Sequence, residues 1–463
     1  MTYRELLAGN PDFRRLWTGQ VVSEVGDWLN NIAVTALAIQ LAGPASVGLA
    51  ISVYAVARHL PLFVFGPVAG VVVDRADRRR VMIAADLARA VLALGFLLAE
   101  RHGSLALIYA AGGALFSVSA FFNAAKRASV PTLARGAEEL LAANSLSAST
   151  TAATIAVGSA LGGVFATSLG RDAVFLINAA TFLASAEMIR RIRKSLTADW
   201  QLRDAEVETA AHAPDADSLA ERDPRPATPA PQPGPPPSPL GRMLADFRGG
   251  LRYVGRDRFL SAVFVVAAGW GLGNGAARAL YSIFGARLGE QAVAGWGEGA
   301  RQLVERPTDF GISVLFVAMG AGGVLGAPIA RRFAGGGVEG LGARMGRSLC
   351  LDGCGLLVFS LMPSLWGAAL VLVAREMNFA VWWTAQQTAL MRRTEGHFAG
   401  RVFASYETLT TLMMVGAMLA SGVAADRLGI RPVAAAGGGM IVLSGLLWFI
   451  LRRGRQKEVD SRQ

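Results

Sequence analysis

Several ionisable and amide side chains stand inside stretches of sequence that are otherwise apolar. In the first such stretch, polar residues recur every three or four positions, at Gln20, Glu24, Asp27, Asn31 and Thr35. At about 100° per residue, these five side chains share one face of a helix. A charged side chain in a bilayer interior costs about 2.5–3.5 kcal/mol on insertion scales, so it persists only beside a partner or a cavity. The stripe therefore predicts a polar helix face whose carboxylates could bind a proton or a substrate.

Later apolar stretches also carry charges, which are candidates for the same role because the same cost applies. They are Arg58, Arg278, Arg375, Glu376 and Glu407. Two interpretations stay open for the acids of the first stretch. Glu24 and Asp27 either take part directly in proton or substrate binding, or they only pair with Arg58 and hold helices together. Lys126, at the end of its apolar stretch, is predicted to be a positive charge that fixes the orientation of the chain.

The elements that position these residues must be membrane helices. Of the 463 residues, 53% are hydrophobic and 17% are charged, whereas soluble domains have about 25% charged residues. Apolar windows long enough to cross a hydrocarbon core of about 30 Å lie at 16–41, 47–73, 81–99, 104–125, 142–168 and 172–190, and at 259–286, 310–331, 345–363, 365–390, 400–425 and 430–451. We predict an all-α integral membrane protein with about twelve transmembrane helices in two pseudo-symmetric six-helix bundles.

The two halves would be residues 1–190 and 259–463, joined by residues 191–258. Within the connection, residues 224–239 are rich in proline, which cannot donate helical hydrogen bonds, and this composition predicts a disordered linker. Residues 240–256 alternate apolar residues and arginines at helical spacing. That pattern suits a short helix on the membrane surface, and an ordinary polar connector is the alternative.

Arginines cluster in alternate connections between the apolar windows, which predicts that these connections are cytoplasmic. The basic connections are 75–80, 126–135, 190–258, 331–347, 392–401 and the segment from 452 onward. Both termini would then lie in the cytoplasm of a multi-pass protein in a bacterial-type inner or plasma membrane. The polar N-terminal residues 1–15 predict no cleavable signal peptide. Because the net charge of +11 follows topology, we expect no nucleic-acid partner.

The sequence argues against an enzyme. It contains no His-Glu-x-x-His, no Gly-x-Ser-x-Gly and no Gly-Lys pair, which excludes the usual zinc protease, serine hydrolase and P-loop motifs. Cys350 and Cys354 lie one helical turn apart in an apolar window, as expected for two buried small hydrophobic residues. No metal site and no cofactor are predicted.

The two halves show weak internal similarity, which is common in transporters. A shift of 256 residues aligns four positions, placing Gly322 on Gly66, Gly326 on Gly70, Ala330 on Asp74 and Arg331 on Arg75. This alignment supports two homologous halves. It also predicts that only the first half has an acid at this position.

Two motifs carry a resemblance to a known family. Gly70-Val-Val-Val-Asp74-Arg75-Ala-Asp-Arg78-Arg79 resembles the signature G-x-x-x-D-R-x-G-R-R of the major facilitator superfamily, with Asp77 where glycine is usual. Gly158-Ser-Ala-Leu-Gly162-Gly163 resembles the fifth-helix antiporter motif G-P-x-x-G-G of that superfamily. The opening residues 10–27 are similar to its drug and metabolite efflux branch, which includes enterobactin and macrolide exporters. Lysophospholipid transporters are similar at the positions of Asp27, Lys126 and Arg278.

The resemblance implies proton-coupled export of a small amphiphilic molecule, such as a drug, siderophore or metabolite, by a monomer with alternating access. The first motif (Gly70, Asp74, Arg75, Arg78 and Arg79) would form a gate at the cytoplasmic mouth, with Gly66 and Gly70 allowing a neighbouring helix to approach closely. The second motif (Gly158, Gly162 and Gly163) would pack helices. A lysophospholipid transporter is the first alternative, and a non-transporting sensor, a channel or a membrane enzyme are alternatives of a different class.

Overall fold

The computed structural model describes residues 1–197, 239–302, 304–333 and 337–460, and these residues form helices and connections without a strand. The helices of the first half are α1 (Tyr3–Gly9), α2 (Pro11–Leu41), α3 (Val47–Arg75), α4 (Arg78–His102), α5 (Leu105–Leu133), α6 (Ala137–Ser168) and α7 (Arg171–Arg190). They are followed by α8 (Pro239–Arg256), α9 (Arg258–Ala294), α10 (Glu298–Arg301), α11 (Pro307–Phe333), α12 (Val338–Leu361), α13 (Leu365–Arg393), α14 (Gly396–Leu428) and α15 (Ile430–Asp460).

Ten helices in the described ranges are long and apolar enough to cross a membrane. They are α3 to α7, α9, α11, α13, α14 and α15. Helices α2 and α12 are also long enough, with 31 and 24 residues, and α2 carries the polar stripe. The predicted class, an all-helical multi-pass membrane protein, is confirmed.

One helix is markedly longer than its apolar window. The window 259–286 lies in α9, which continues to Ala294. The reason is a close contact with α11, since a Cβ atom on Gly289 would lie only 2.5 Å from the carbonyl oxygen of Pro307. Glycine permits this approach, and the contact stabilises the helical conformation beyond residue 286, where hydropathy alone predicts the end of the helix.

The long helices of the two parts of the chain make corresponding contacts. In the first part α2 packs on α6 and α7, α4 on α5 and α7, and α3 on α5. In the second part α9 packs on α14 and α15, α12 on α13 and α15, and α11 on α13. Counted along each part, the same ordinal helices touch. The principal contacts between the two parts are those of α3 with α14 and of α6 with α11.

Hydrogen bonds group the connections at two ends of the molecule. At the first, which we call the Asp77 end, Arg79 Nη1 donates to the carbonyl oxygen of Ile192 at 2.8 Å, and Arg78 Nη1 donates to that of Ala128 at 2.9 Å. At the second, the Asp309 end, Arg171 joins Asp309. The sequence predicts that the Asp77 end is cytoplasmic.

Helix α8 forms where the periodicity of residues 240–256 predicts a helix. It packs on α14 because Gly250 has no side chain, and a Cβ atom there would lie 2.6 Å from the carbonyl oxygen of Arg401. The rings of Tyr253 and Phe398 stack with centroids 4.5 Å apart, and Arg393 Nε lies 2.7 Å from Asp257 Oδ2. The proline-rich segment predicted to be a disordered linker lies outside the described residues up to position 238, and its last residue, Pro239, begins α8.

The two cysteines do not occupy the buried positions that the sequence predicts. Cys350 is half-buried and Cys354 is exposed, and both are free thiols. At Cys354, α12 therefore faces away from the packed interior, whereas Cys350 lies against Gly445 of α15. An apolar window does not show which face of its helix meets neighbours.

Candidate functional site

The polar stripe of α2 places Glu24 at the meeting point of three helices. Lys126 Nζ, from α5, lies 3.2 Å from Glu24 Oε1, and Thr154, from α6, donates to Glu24 Oε2 at 3.2 Å. Gln20 Nε2 donates to Glu24 Oε1 at 2.8 Å from the preceding turn. The sequence predicts that Lys126 is a positive charge that fixes the orientation of the chain in the membrane. In the structure it is the ion-pair partner of a membrane carboxylate.

Asp27 belongs to a second cluster on the same stripe. Arg89 Nη1, from α4, lies 3.9 Å from Asp27 Oδ2, and Arg89 Nη2 donates to Asp86 Oδ1. The Arg89 guanidinium lies over the rings of Phe122 and Phe182, at 4.1 and 4.5 Å from their centroids. Two carboxylates thus share one buried guanidinium, which leaves the cluster with an excess negative charge when both are ionised.

The interpretation that Glu24 and Asp27 pair with Arg58 is wrong for this structure. The ion-pair partners of the two acids are Lys126 and Arg89. Arg58 Nη1 instead donates to the side-chain oxygen of Asn31. The spacing predicts the shared face of α2 correctly, but it carries no information about which base lies opposite.

A cavity of about 260 Å³ lies between helices of both parts of the chain. Its walls come from α2, α3, α5, α9, α11 and α14, and the lining residues are Trp28, Asn31, Thr35, Ile51, Tyr54, Ala55, Arg58, His59, Leu62, Phe116, Arg278, Ala279, Ser282, Phe316 and Met418. Two arginines are present in this lining and no aspartate or glutamate. One arginine comes from each part of the chain.

Aromatic rings hold Arg58 at the cavity wall. Its guanidinium carbon lies 4.5 Å from the ring centroid of Trp28 and 5.2 Å from that of Phe116. Cation–π contacts of this length are attractive, and they orient the planar guanidinium while leaving its edges available for hydrogen bonds. Arg278, on α9, forms no hydrogen bond or ion pair with another described residue.

Arg375 has a different setting from the cavity arginines. It forms a bidentate ion pair with Asp352, with Nε to Oδ1 at 2.8 Å and Nη2 to Oδ2 at 3.1 Å, and it also bonds to Tyr281 and Asn274. Arg375 is 4% exposed and Asp352 is 2% exposed. This network joins α9, α12 and α13, and it is fully occupied with protein partners.

The two remaining acidic candidates stand apart from the cavity. Glu376 is half-buried beside Gly322. A Cβ atom placed on Gly322 would lie 2.7 Å from the Cβ atom of Glu376. Glu407 is exposed on α14. Neither acid lines the cavity, and in the described residues neither makes a side-chain hydrogen bond.

The charged motif between α3 and α4 divides into bonded and unbonded parts. Asp77 accepts from the amide of Arg79 at 2.9 Å and so begins α4 as its N-cap, which gives a local reason for an acid where the family signature has glycine. Arg78 and Arg79 bond to α5 and to the segment after α7. Asp74 and Arg75 are exposed.

The glycines of the two aligned motifs have unequal surroundings. Nothing lies within 4 Å of a Cβ position on Gly66 or Gly70, so the close helix approach predicted there is absent in this conformation. Their counterparts in the second half lie against α13, where a Cβ on Gly322 would be 2.6 Å from the carbonyl oxygen of Val373 and one on Gly326 would be 2.8 Å from the Cα of Met377.

The fifth-helix glycines lie at two helix contacts. A Cβ on Gly158 would be 2.7 Å from the carbonyl oxygen of Val25, and one on Gly162 would be 2.9 Å from that of Leu29, both on α2. Gly163 faces Ser313 of α11 instead. The motif thus lets α6 approach α2 on one side and the second part of the chain on the other.

The Asp309 end is closed by polar contacts that the sequence did not predict. Arg171 Nη2 and Nε lie 2.8 and 3.1 Å from the carboxylate oxygens of Asp309, and Arg171 Nη1 donates to Gln40 Oε1 at 2.6 Å. Nearby, the Asp426 carboxylate accepts from the amides of Gly48 and Leu49, at 2.6 and 2.9 Å. The sequence contained one indication of this contact. Arg171 lies in a connection where the charge pattern predicts few basic residues, so its presence there is unusual.

The arrangement of a two-part helical membrane protein around a central polar cavity can be compared with known families. A sequence model described as Major Facilitator Superfamily matches residues 16–417. The chain belongs to the major facilitator superfamily. Membership of this family agrees with the sequence prediction of a transporter rather than an enzyme.

Several known proteins match parts of the chain. The chain is 31% identical over 176 residues to an uncharacterised MFS-type transporter, YfiS, of Bacillus subtilis. The aligned region covers 38% of this chain and 40% of that protein. The chain is 32% identical over 183 residues to a putative bacilysin exporter, BacE, of Bacillus amyloliquefaciens, covering 40% and 44%. Macrolide efflux protein A of Streptococcus pyogenes is 39% identical over 75 residues, covering 16% and 18%. The chain thus matches about two fifths of the length of the first two relatives.

Proposed function

We propose that this transporter exports a small amphiphilic molecule by alternating access. The observation that carries the proposal is the cavity whose wall joins helices of both parts of the chain. A site between two bodies can face one side of the membrane and then the other when the bodies rock against each other. The matches to proteins named as bacilysin and macrolide exporters support the outward direction.

The two bodies of this proposal are six-helix bundles, residues 1–190 and 259–463, and residues 191–258 connect them. The repeated set of helix contacts supports this division, because the same ordinal helices pack together in each part. The arginine-rich connections support a bacterial-type plasma membrane with the Asp77 end in the cytoplasm. Each monomer would be a complete unit, since both walls of the cavity come from one chain.

Transport is proposed to be driven by protons that bind at the α2 acids. In the cluster of Asp27, Arg89 and Asp86, two carboxylates face one guanidinium, so one added proton removes the excess charge. Protonation of a carboxylate would weaken its attraction to the base on the neighbouring helix and so change which helix contacts are favoured.

A transport assay tests export and proton coupling together. Inside-out vesicles would receive an imposed pH gradient with labelled bacilysin as probe. The Asp27→Asn variant should lose gradient-driven uptake but retain exchange between labelled and unlabelled probe. Glu187→Gln is the matched control, because Glu187 is an exposed acid at the end of α7. Unchanged gradient dependence in Asp27→Asn contradicts the proton assignment, and failure to exchange any probe contradicts the carrier function.

A further inference from the structure

The charges of the central cavity are unbalanced, and this imbalance bears on the chemistry of the cargo. Its lining includes the guanidinium groups of Arg58 and Arg278 and no carboxylate. Asp27 and Glu376 are the nearest acids to act on these arginines, but neither lines the cavity or lies within 4 Å of either guanidinium. The lining therefore presents two cations without a carboxylate in direct contact, and the acidic group of a ligand can take that place.

The unused hydrogen-bond donors point to the same conclusion. A guanidinium has five N–H donors in a planar fork that matches a carboxylate or a phosphate. Arg58 uses one donor, to Asn31, and its faces are occupied by aromatic rings. Arg278 uses none with the described residues. Both arginines therefore have free donors in the cavity lining, and Arg58 is also held in place by its aromatic neighbours.

The rest of the wall suits an apolar body of limited size. Trp28 and Phe316, whose ring centroids are 5.8 Å apart, bring the two parts of the chain together beside the arginines. Phe116, Ile51 and Met418 extend the apolar surface. A volume of about 260 Å³ lies just below the usual range of ligand pockets, about 300–1,000 Å³. A compact ring system fits this space better than a large macrocycle or a long acyl chain.

We propose that Arg58 and Arg278 together bind the acidic group of a small organic anion, whose aromatic or short aliphatic body lies against Trp28, Phe116 and Phe316. The proposal rests on the transport function above and names its substrate class. Because the two arginines come from α3 and α9, a bound anion attracts both parts of the chain at once. The ligand then stabilises the conformation in which the two guanidinium groups are close.

Binding to purified protein tests the proposal with a matched pair of probes. 1-Naphthaleneacetate is an aromatic carboxylate, and 1-naphthaleneacetamide has nearly the same shape without the charge. A hydrogen bond to a charged group contributes enough to predict about 10- to 100-fold tighter binding of the acid. The affinities would be measured by isothermal titration calorimetry.

Variants separate charge recognition from general damage. Arg278→Gln should weaken acid binding about tenfold or more and leave amide binding unchanged, while Arg278→Lys should retain part of the preference because it keeps the charge. Arg101→Gln removes an exposed arginine at the end of α4 and should change neither affinity. Arg278 is the primary target because Arg58 is packed between aromatic rings, and its removal could disturb the fold.

The outcomes distinguish the cargo class from the transport function. Equal binding of acid and amide, or a full preference in Arg278→Gln, overturns the anion site. Binding of lysophosphatidylglycerol without binding of the naphthalene acid overturns the small-anion assignment in favour of a lipid headgroup. If the acid binds through Arg278 but no probe is exchanged in proteoliposomes, the anion site stands and the carrier function fails. If bacilysin is exchanged but the acid does not bind, the carrier function stands and the anion site fails.

Discussion

The ion pair between Arg171 and Asp309 should act as the main latch of the Asp309 end. It joins α7 of the first part to α11 of the second, and its two hydrogen bonds are 2.8 and 3.1 Å long. The Arg171 side chain is 5% exposed and that of Asp309 is 0% exposed. If the two parts separate here during transport, both groups become hydrated, so the pair exists only in the closed state.

The change Asp309→Asn leaves the buried arginine without a counter-ion, because the introduced amide oxygen and Gln40 Oε1 are both neutral acceptors. Removing one partner of a buried ion pair costs about 3–5 kcal/mol. That cost applies to the closed state and largely disappears in the open state, where water solvates Arg171. At about 1.4 kcal/mol per factor of ten, the ratio of open to closed molecules should rise on the order of 10²- to 10³-fold.

Pulsed electron paramagnetic resonance can measure this shift as a change in distance populations. Spin labels would be placed at Leu169 and Gly297, two exposed positions near the Asp309 end, after Cys350 and Cys354 are replaced by serine. The long-distance population should become dominant in Asp309→Asn. The double variant Arg171→Gln/Asp309→Asn should restore part of the short-distance population, because no unpaired charge then remains buried.

An exposed pair provides the control for this experiment. Glu187 and Arg190 lie in α7 with side-chain exposures of 38% and 69%, and exposed pairs contribute only about 0–1 kcal/mol. Glu187→Gln should therefore leave the distance populations unchanged. The latch would be refuted if Asp309→Asn gave folded protein with the distance distribution of the unaltered chain.

Three further changes give predictions at other places in the fold. Asp426→Ala removes the acceptor of two amides in the first turn of α3, those of Gly48 and Leu49, and should favour opening of the Asp309 end by about 1–2 kcal/mol, read from the same spin labels; equal populations would contradict it. Asp352→Asn should lower the thermal unfolding midpoint in detergent, since Arg375 loses its counter-ion at a cost of about 3–5 kcal/mol, and Arg375→Gln added to it should recover part of the loss. Asp74→Ala should slow transport while leaving membrane insertion and the unfolding midpoint unchanged; a loss of folded protein would show that Asp74 has a purely structural role.

The sequence predicts the helices well because the bilayer imposes a strict rule on them. An apolar segment must satisfy its backbone hydrogen bonds internally, so length and hydropathy reveal most spans. The rule does not predict the end of a helix that is extended by a tertiary contact, as at Gly289 in α9. It also does not predict which face of a helix meets its neighbours, as the exposed Cys354 in α12 shows. Both failures come from neighbours that the local sequence does not identify.

Of the seven proton or substrate candidates named from the sequence, the cavity lining includes Arg58 and Arg278, and the sequence does not show which charged residues pair. Helical spacing places Glu24, Asp27 and Asn31 on one face, and the structure agrees. Their partners lie far away in the chain, as the separation of 102 residues between Glu24 and Lys126 shows. Arg375 is an example, because a charge inside an apolar window predicts a ligand-binding residue. In the structure, its guanidinium group is already paired with the carboxylate of Asp352.

The two ends of the molecule differ, and this difference suggests when the motif of Gly70, Asp74 and Arg75 on α3 would act in the proposed transport cycle. At the Asp309 end, buried charges and helix-terminal amides hold the two parts together. At the Asp77 end, Asp74 and Arg75 are exposed, and Gly70 faces open space. Glycine and an acid at such a position have no contact to explain them in this conformation, whereas both suit a close approach by another helix. In the proposed alternating-access cycle, this structure would be the state closed at the Asp309 end, and the motif would make its contacts when the opposite end closes.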